Sequence, residues 1–354
     1  MSAAPDGDCA VDVVRLTTVL SLLFGAAGVS AADARVTVDS LVAAEVDGVS
    51  SHGVALVPLY LERLNAGGVV AAAVPTIVED LGGLVVIDAA HALGQVSSHM
   101  AVELAVARAR VHGLAFVTVR HAFHFGTAAF WTRQAAALGM IGFAFSNTRP
   151  LMPAPGGAQR VVGNNPLSIA FPSAEGLPLV VDMAMSATAM GRIRIAEAKG
   201  LTIPEGWATD DAGLPTTSAA DAIKGLLLPA AGPKGFGLAV AIDLLCGALS
   251  GGAIGSSVKP LYGNAAQHYD CSHAFIVIDA SRANGGEGIA GQVTSFANEI
   301  RASTPASGTT QIYAPGDLER ARRTQRSTSL PLSSALVAQI DALAEKAGLT
   351  ARLY

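Results

Sequence analysis

With 354 residues, the chain is long enough for two or three domains with sizeable buried cores. Apolar residues make up 51% and charged residues only 14%, and the net charge of −5 leaves no basic stripe to neutralise the phosphates of a nucleic acid. Small apolar residues dominate; they fit tight helix-on-sheet packing and a surface partly buried between subunits, and an alanine-rich genome accounts for them equally well.

At the amino terminus, residues 19–32 imitate a secretory apolar segment. Their flank carries Asp6, Asp8 and Asp12 against one Arg15, the wrong charge for an export signal. Leu16, Val19, Leu20, Leu23 and Phe24 recur at helical spacing until Gly28 stops the run, and Ser30 caps a second helix over 32–47. A further helix covers 58–64. Residues 76–89 alternate around Gly82-Gly83 as a hairpin, 99–112 form a helix closed by Gly113, and 114–119 a buried strand. Short strands follow at 141–145, 167–171 and 179–181, then an irregular excursion over 200–228 and an apolar stretch over 236–249 that reads as a buried helix. A strand at 275–278 precedes a segment, 285–301, that begins glycine-rich and becomes helical. Helices dominate both ends and strands the middle, so an α+β chain is expected. Residues 1–118 plus 300–354 would form a mainly helical domain around an inserted one, 119–299. No apolar run reaches membrane-spanning length. Cys9, Cys246 and Cys271 lack paired spacing, which argues against disulfides and zinc and makes a reducing cytoplasm the expected compartment.

Neither a G-x-G-x-x-G nor a G-x-x-x-x-G-K-[ST] motif is present, and there is no G-x-S-x-G elbow and no H-E-x-x-H pair. Three glycine-loosened runs stand out instead: Ser51-His52-Gly53, His124-Phe125-Gly126 and Gly232-Pro233-Lys234-Gly235. A histidine beside a hydroxyl at a helix end suits general acid–base work, because its pKa lies near neutrality. A turn histidine bonded to backbone is the simpler reading. His124 follows a strand, and Gly126 permits close backbone approach. His121 reads as a solvated loop histidine. Lys234 before a helix start offers a site for an anion. Gly163-Asn164-Asn165-Pro166 reads as a tight turn, and Asp182 as the cap of the next helix. Asp270-Cys271-Ser272-His273 has too few ligands for a metal, and none is expected.

Taken in order, these segments resemble the type-2 malate/L-lactate dehydrogenase family of NAD(P)-dependent oxidoreductases. Its members include ureidoglycolate, sulfolactate and diketogulonate enzymes and the Δ1-piperideine-2-carboxylate/Δ1-pyrroline-2-carboxylate reductases. The resemblance runs from about Leu16 to Arg323. It rests on Asp47-Gly48-Val49-Ser50-Ser51-His52-Gly53-Val54 with Pro58 and Tyr60, then His124-Phe125-Gly126 and Gly163-Asn164-Asn165-Pro166. Asp182-Met183-Ala184, Gly232-Pro233-Lys234-Gly235-Phe236-Gly237 and Ala314-Pro315-Gly316-Asp317 complete it.

The resemblance implies a non-Rossmann fold, with a largely antiparallel sheet forming the nicotinamide-binding domain, and a homodimer. It implies cofactor contacts at His124, Phe125, Gly126, Thr127, Ala128, Asn164, Asp182, Met183, Ala184, Lys234, Gly235, Pro315, Gly316 and Asp317. The cofactor is NAD(P)H, with NADPH slightly preferred over NADH. His52 and Ser51 match the family's acid–base pair, serving hydride transfer to the carbon alpha to a carboxylate. Two departures bear on the substrate. Most members carry an arginine four residues after the histidine, and Leu56 stands there. Arg149 is the expected replacement for that carboxylate grip, Arg192 the second, with Tyr60 also on the substrate side. Arg192 occupies a position where the family often has lysine and the cyclic-imine reductases an aspartate; Asn164 stands where a threonine is usual. Phe125, Phe130 and Trp131 either wall an apolar pocket or pack in the core. A 2-oxo acid/2-hydroxy acid pair is expected as substrate, with a cyclic 2-imino acid as the alternative and a non-catalytic binding protein on the same scaffold as a remote one. No nucleic acid or membrane partner is expected.

Overall fold

In the computed structural model, residues 7–283 and 288–354 are described. Asp6 and the glycine-rich start of the 285–301 segment lie outside them. Strand β1 (Asp8–Asp12) leads into α1 (Val13–Ala26), where the Asp12 carboxylate accepts the Arg15 N–H at 2.7 Å. Leu16, Val19, Leu20, Leu23 and Phe24 are the residues α1 buries, as their spacing requires. Ser30 caps α2 (Ala31–Val46), and two 3-10 turns, Ser50–His52 and Val54–Leu56, carry the chain into α3 (Val57–Ala66). The hairpin β2 (Thr76–Asp80) and β3 (Leu84–Asp88) is followed by α4 (Gly94–His112), β4 (Leu114–Ala122), α5 (Ala128–Ala137) and β5 (Ile141–Ser146). Next come β6 (Met152–Pro153), β7 (Arg160–Val162), β8 (Leu167–Phe171), β9 (Leu179–Met183), α6 (Met190–Ala198) and α7 (Ala219–Lys224). The chain continues through α8 (Pro233–Asp243), β10 (Cys271–Ile278), α9 (Ala290–Ala302) and α10 (Asp317–Gln325), and ends in β11 (Ser329–Ser333) and α11 (Ser334–Lys346).

Seven strands form one sheet in the order β2-β3-β4-β10-β5-β8-β9, and only the β3–β4 pair runs parallel. The result is a mixed α/β fold around an antiparallel-rich sheet. Helix α4 covers β4 and β10, and α5 covers β5 and β8. Between helix and sheet the core is dry, with Val117, Val119, Phe123, Trp131 and Phe275 each at most 1% exposed. β4 runs across positions 118 and 119, and the hairpin β2–β3 joins the same sheet, so this sheet draws on both segments separated at that boundary by sequence. β1 pairs antiparallel with β11, Val11 opposite Leu330, and closes the two chain ends on each other.

Two expectations need correction. The 236–249 stretch is not a buried helix: α8 gives way to a π-helical turn, Leu244–Ala248, and Leu238, Leu244, Leu245 and Leu249 are 36–47% exposed in the single chain. Asp182 does not cap a following helix, because it lies inside β9, opposite Ser168, and α6 begins only at Met190. Among the described residues, no helix is long and apolar enough to cross a membrane.

Candidate functional site

The site gathers where α2 and β4 end and α3 begins. The 3-10 turn after α2 presents Ser51 and His52, and the Ser51 hydroxyl lies 3.0 Å from His52 Nδ1. Residues just past the end of β4 bring His124 against it, with the two ring centroids 5.3 Å apart and the planes 31° from parallel. Burial lowers the pKa of both imidazoles, that of His124 further, with the neighbouring His52 and His273 adding to the effect. Each is therefore neutral near pH 7.

His124 is fixed from behind. The Tyr60 hydroxyl lies 2.6 Å from His124 Nδ1, and the Gln95 amide donates to that hydroxyl at 3.3 Å. The Gly126 N–H points at the same Nδ1 from 3.4 Å. The same Tyr60 hydroxyl reaches the His124 carbonyl at 3.2 Å, so it holds both the ring and the backbone of that residue. Tyr60 is fully buried, and burial pushes its phenol far up, so it orients His124. The sequence placed Tyr60 on the substrate side and His124 among cofactor contacts; the bond joining them has no local signal across 64 positions.

A cleft of about 490 Å³ is lined by Thr127, three residues past His124 in the chain, and by Asp182, Met183, Pro315, Gly316, Arg133, Glu319, Arg320 and Arg323 among others. Five of those nine belong to the expected cofactor set. Thr127 is 6% exposed, and among the described residues its hydroxyl has no hydrogen-bond partner. The Ala129 N–H, in the first turn of α5, donates to Asp182 Oδ2 at 3.3 Å. Asp182 is exposed in the single chain and lines the cleft, and the protein packed around it pushes its carboxyl up to about 6. Gly126 has φ +83°, and a Cβ there would stand 2.6 Å from Ser40 Oγ, so only glycine fits. Phe125 and Trp131 are core residues: Phe125 stacks on His273 at 4.4 Å, and the Trp131 indole donates to the Phe125 carbonyl. Ala128 is buried beside them.

On the other side, Asn164 accepts from the Thr148 hydroxyl at 3.0 Å, and its carbonyl takes the Met185 N–H at 2.8 Å. Met185 in turn accepts from Ala230, which links the Asp182-Met183-Ala184 strand end to the loop before α8. Lys234 is exposed in the first turn of α8, and a Cβ on Gly235 would meet the Ala230 carbonyl at 2.0 Å. Asp317 is spoken for: Arg301 binds it through both carboxylate oxygens at 2.8 and 2.9 Å, Arg320 at 2.7 Å, and the Ala314 N–H at 2.9 Å. Those donors hold its pKa down and lock the Pro315-Gly316 turn. A parallel arrangement uses buried Asp47, which joins Arg133 at 2.7 Å and Arg323 at 2.5 Å across the cleft wall. Sequence reasoning quoted Asp47 in a motif and missed its two arginines.

Leu56 is 4% exposed and lies in the core, so it offers nothing to an acid group. Arg149 is half-buried, and its charge acts on the phenol of Tyr269, which packs edge-on against Phe123 next to His124. Arg192 stands exposed on α6, and no hydrogen bond or ion pair joins it to the histidines. Among the described residues, no cluster of three metal-ligating side chains exists.

A mixed α/β scaffold that sets two imidazoles against each other is suited to moving a proton. A family model described as malate/L-lactate dehydrogenase matches residues 11–341. The L-sulfolactate dehydrogenase of Methanocaldococcus jannaschii is 36% identical over 329 residues, 92% of this chain and 94% of that protein. A solved structure titled as the sulfolactate dehydrogenase of that organism superposes with a TM-score of 0.91 at 33% identity, covering 96% and 98% of the two chains. Ureidoglycolate dehydrogenase (NAD(+)) of Escherichia coli is 34% identical over 82% of both chains. The Δ1-piperideine-2-carboxylate reductase of Pseudomonas syringae superposes with a TM-score of 0.85 at 28% identity, covering 95% and 99%. The chain belongs to the malate/L-lactate dehydrogenase family and is an oxidoreductase.

Proposed function

We propose that this protein is an NAD(P)H-dependent oxidoreductase that interconverts a 2-oxo acid and its 2-hydroxy acid, with His52 as the acid–base group. The carrying observation is the His52–His124 pair, 5.3 Å apart, together with a cleft lined by Thr127, whose hydroxyl has no partner among the described residues. That hydroxyl and the glycine turn before it fit a nicotinamide dinucleotide, whose chemistry is the hydride exchanged at the carbon alpha to the carboxylate. The antiparallel-rich sheet, rather than a doubly wound parallel one, would carry it. Thr127, Met183, Pro315 and Gly316 would line its path, with Asn164 and Lys234 on the far wall. Asp317 would act only by shaping its turn. Arg320 and Arg323 on the cleft wall each pair with a carboxylate and keep further N–H donors that a 2′-phosphate could use, which slightly favours NADPH over NADH.

His52 Nε2, with Nδ1 steadied by the Ser51 hydroxyl, would give the proton to the new alkoxide and take it back in reverse. His124, its ring held at Nδ1 by Tyr60, would polarise the same oxygen through Nε2, and it is the second candidate for the proton. Arg149 would hold the acid group that Leu56 cannot. Reduction of a cyclic 2-imino acid needs the same groups and is the second reading, supported by likeness to the Pseudomonas syringae reductase. A homodimer, a reducing cytoplasm and a two-part chain with strands 76–88 counted in the cofactor part complete the proposal. Nicotinamide absorbance followed with a panel of 2-oxo acids, 2-hydroxy acids and cyclic 2-imino acids, with both cofactors, tests it. Turnover of a hydroxy or oxo acid supports the first reading. Turnover of imines alone replaces it with the second, and dinucleotide binding without any turnover overturns both.

A further inference from the structure

Glu45, in the last turn of α2, is 3% exposed, and among the described residues no cation forms an ion pair with its carboxylate. Its two oxygens are used on one short segment. Oε1 accepts the Ser50 hydroxyl at 2.5 Å, and Oε2 accepts the Val54 N–H at 3.0 Å. Ser50 and Val54 bracket Ser51, His52 and Gly53, so a single buried carboxyl ties down both ends of the turn that presents the imidazole. Gly53 makes this reach possible: a Cβ there would stand 2.4 Å from Glu45 Oε2 and 3.1 Å from the Glu45 backbone nitrogen. The glycine of the Ser51-His52-Gly53 run is thus explained by what lies behind the turn. Arg326 Nη1 also donates to the Glu45 carbonyl at 3.2 Å, anchoring the residue to the end of α10.

We propose that Glu45 is a positioning residue for His52, its carboxyl setting where the imidazole sits relative to His124 through the Ser50 and Val54 bonds. This rests on the acid–base reading of His52. Packing alone does not call for a carboxyl in an enclosed place, since an apolar side chain would fill it without needing donors. The His52 imidazole owes its lowered pKa to burial, and that burial depends on the turn staying closed. Two bonds spaced four residues apart close it.

The test compares Glu45→Leu, Glu45→Gln and Gly53→Ala with the parent protein by thermal midpoint, NADH and NADPH affinity from nicotinamide fluorescence, turnover, and NMR titration of the His52 ring. Glutamine can still accept from Val54 and donate to Ser50 Oγ, so its turnover should stay within about three-fold of the parent. Leucine offers neither bond; a displaced imidazole should cost roughly 30-fold in kcat, with KM and dinucleotide affinity within about two-fold. The His52 pKa should move up toward its ordinary value in Glu45→Leu, as water reaches the ring, and stay depressed in Glu45→Gln. Gly53→Ala, which displaces the carboxyl without removing it, should reproduce the leucine pattern if Glu45→Leu does not fold. An unchanged His52 titration and kcat in Glu45→Leu overturn the proposal. So does equal damage in Glu45→Gln, or a kcat loss that merely tracks the thermal midpoint. Undiminished turnover in His52→Ala instead overturns the acid–base reading, and the ring titrations of the Glu45 variants then decide the positioning claim by themselves.

Discussion

At the scale of single residues, the imidazole proposed as acid–base group has a neighbour, His124, that sequence reading placed among cofactor contacts. His52→Ala should lower kcat by about 100-fold or more, with dinucleotide affinity nearly intact, as expected for loss of a general acid–base group. Loss of equal size in His124→Ala, with His52→Ala near normal, would move the proton to His124. Burial lowers both pKa values, so hydroxy-acid oxidation, which needs a neutral base, should gain activity as pH rises through a midpoint below 6.5 and stay level above it. A midpoint above 6.5 in the pH dependence of kcat/KM would contradict this. Arg149→Leu should raise KM for the acid substrate about 10-fold or more and leave cofactor affinity alone, since a charge-assisted bond to a carboxylate is worth roughly 1.5–3 kcal/mol. An unchanged KM in steady-state assays removes Arg149 from substrate recognition. Ser51, His52 and Gly53 were legible as a motif because they adjoin in the chain. Glu45, Tyr60, Gln95 and Asp47 act from 5 to 276 positions away from their partners, and no local pattern encodes such bonds.

At the scale of elements, periodicity read well wherever an element has one wet face. α1 was legible residue by residue, and the 167–171 strand has the same bounds in sequence and structure. The 236–249 stretch misled, because an apolar run carries no mark of what covers it. α8 and the π-helical turn after it leave Leu238, Leu244, Leu245 and Leu249 facing outward in the single chain, a patch of the kind that marks a protein contact. We expect Leu245→Glu to convert a dimer to monomers in sedimentation analysis at micromolar concentration, because burying a carboxylate there without a partner is costly. A monomeric parent, or a variant that stays dimeric, places the contact elsewhere. Asp182 illustrates the opposite error. An acid after an apolar strand reads as a helix cap; β9 instead runs on through it and delivers the carboxyl to the first turn of α5, a helix far earlier in the chain.

At the scale of the molecule, buried histidines tie stability to pH. His273 is fully buried between the Ser146 hydroxyl, 2.9 Å from Nδ1, and the Phe123 carbonyl, 2.9 Å from Nε2, and burial lowers its pKa to about 4. A pKa lower in the folded than in the unfolded state means stability that is complete above the unfolded value and drains away as pH falls toward and through the folded one. Between pH 7 and pH 5 this residue alone should remove about 2 kcal/mol, read as a drop in the urea midpoint. His273→Leu should make that slope shallower by about 2 kcal/mol, with the buried His52 and His124 supplying more of it, and an unchanged slope assigns it to other groups. From the sequence alone came the family, a chain of helices and largely antiparallel strands, the missing parallel-sheet nucleotide motifs and the runs that carry the chemistry. All of these are local, since short-range sterics, periodicity and glycine turns leave their mark within a few residues. Only the tertiary structure decided that β1 and β11 join the chain ends, that two imidazoles face each other, and that carboxylates at 45, 47 and 317 hold turns and arginines in place. Those are contacts between distant segments, and they exist only once burial has removed the water that would otherwise satisfy each group.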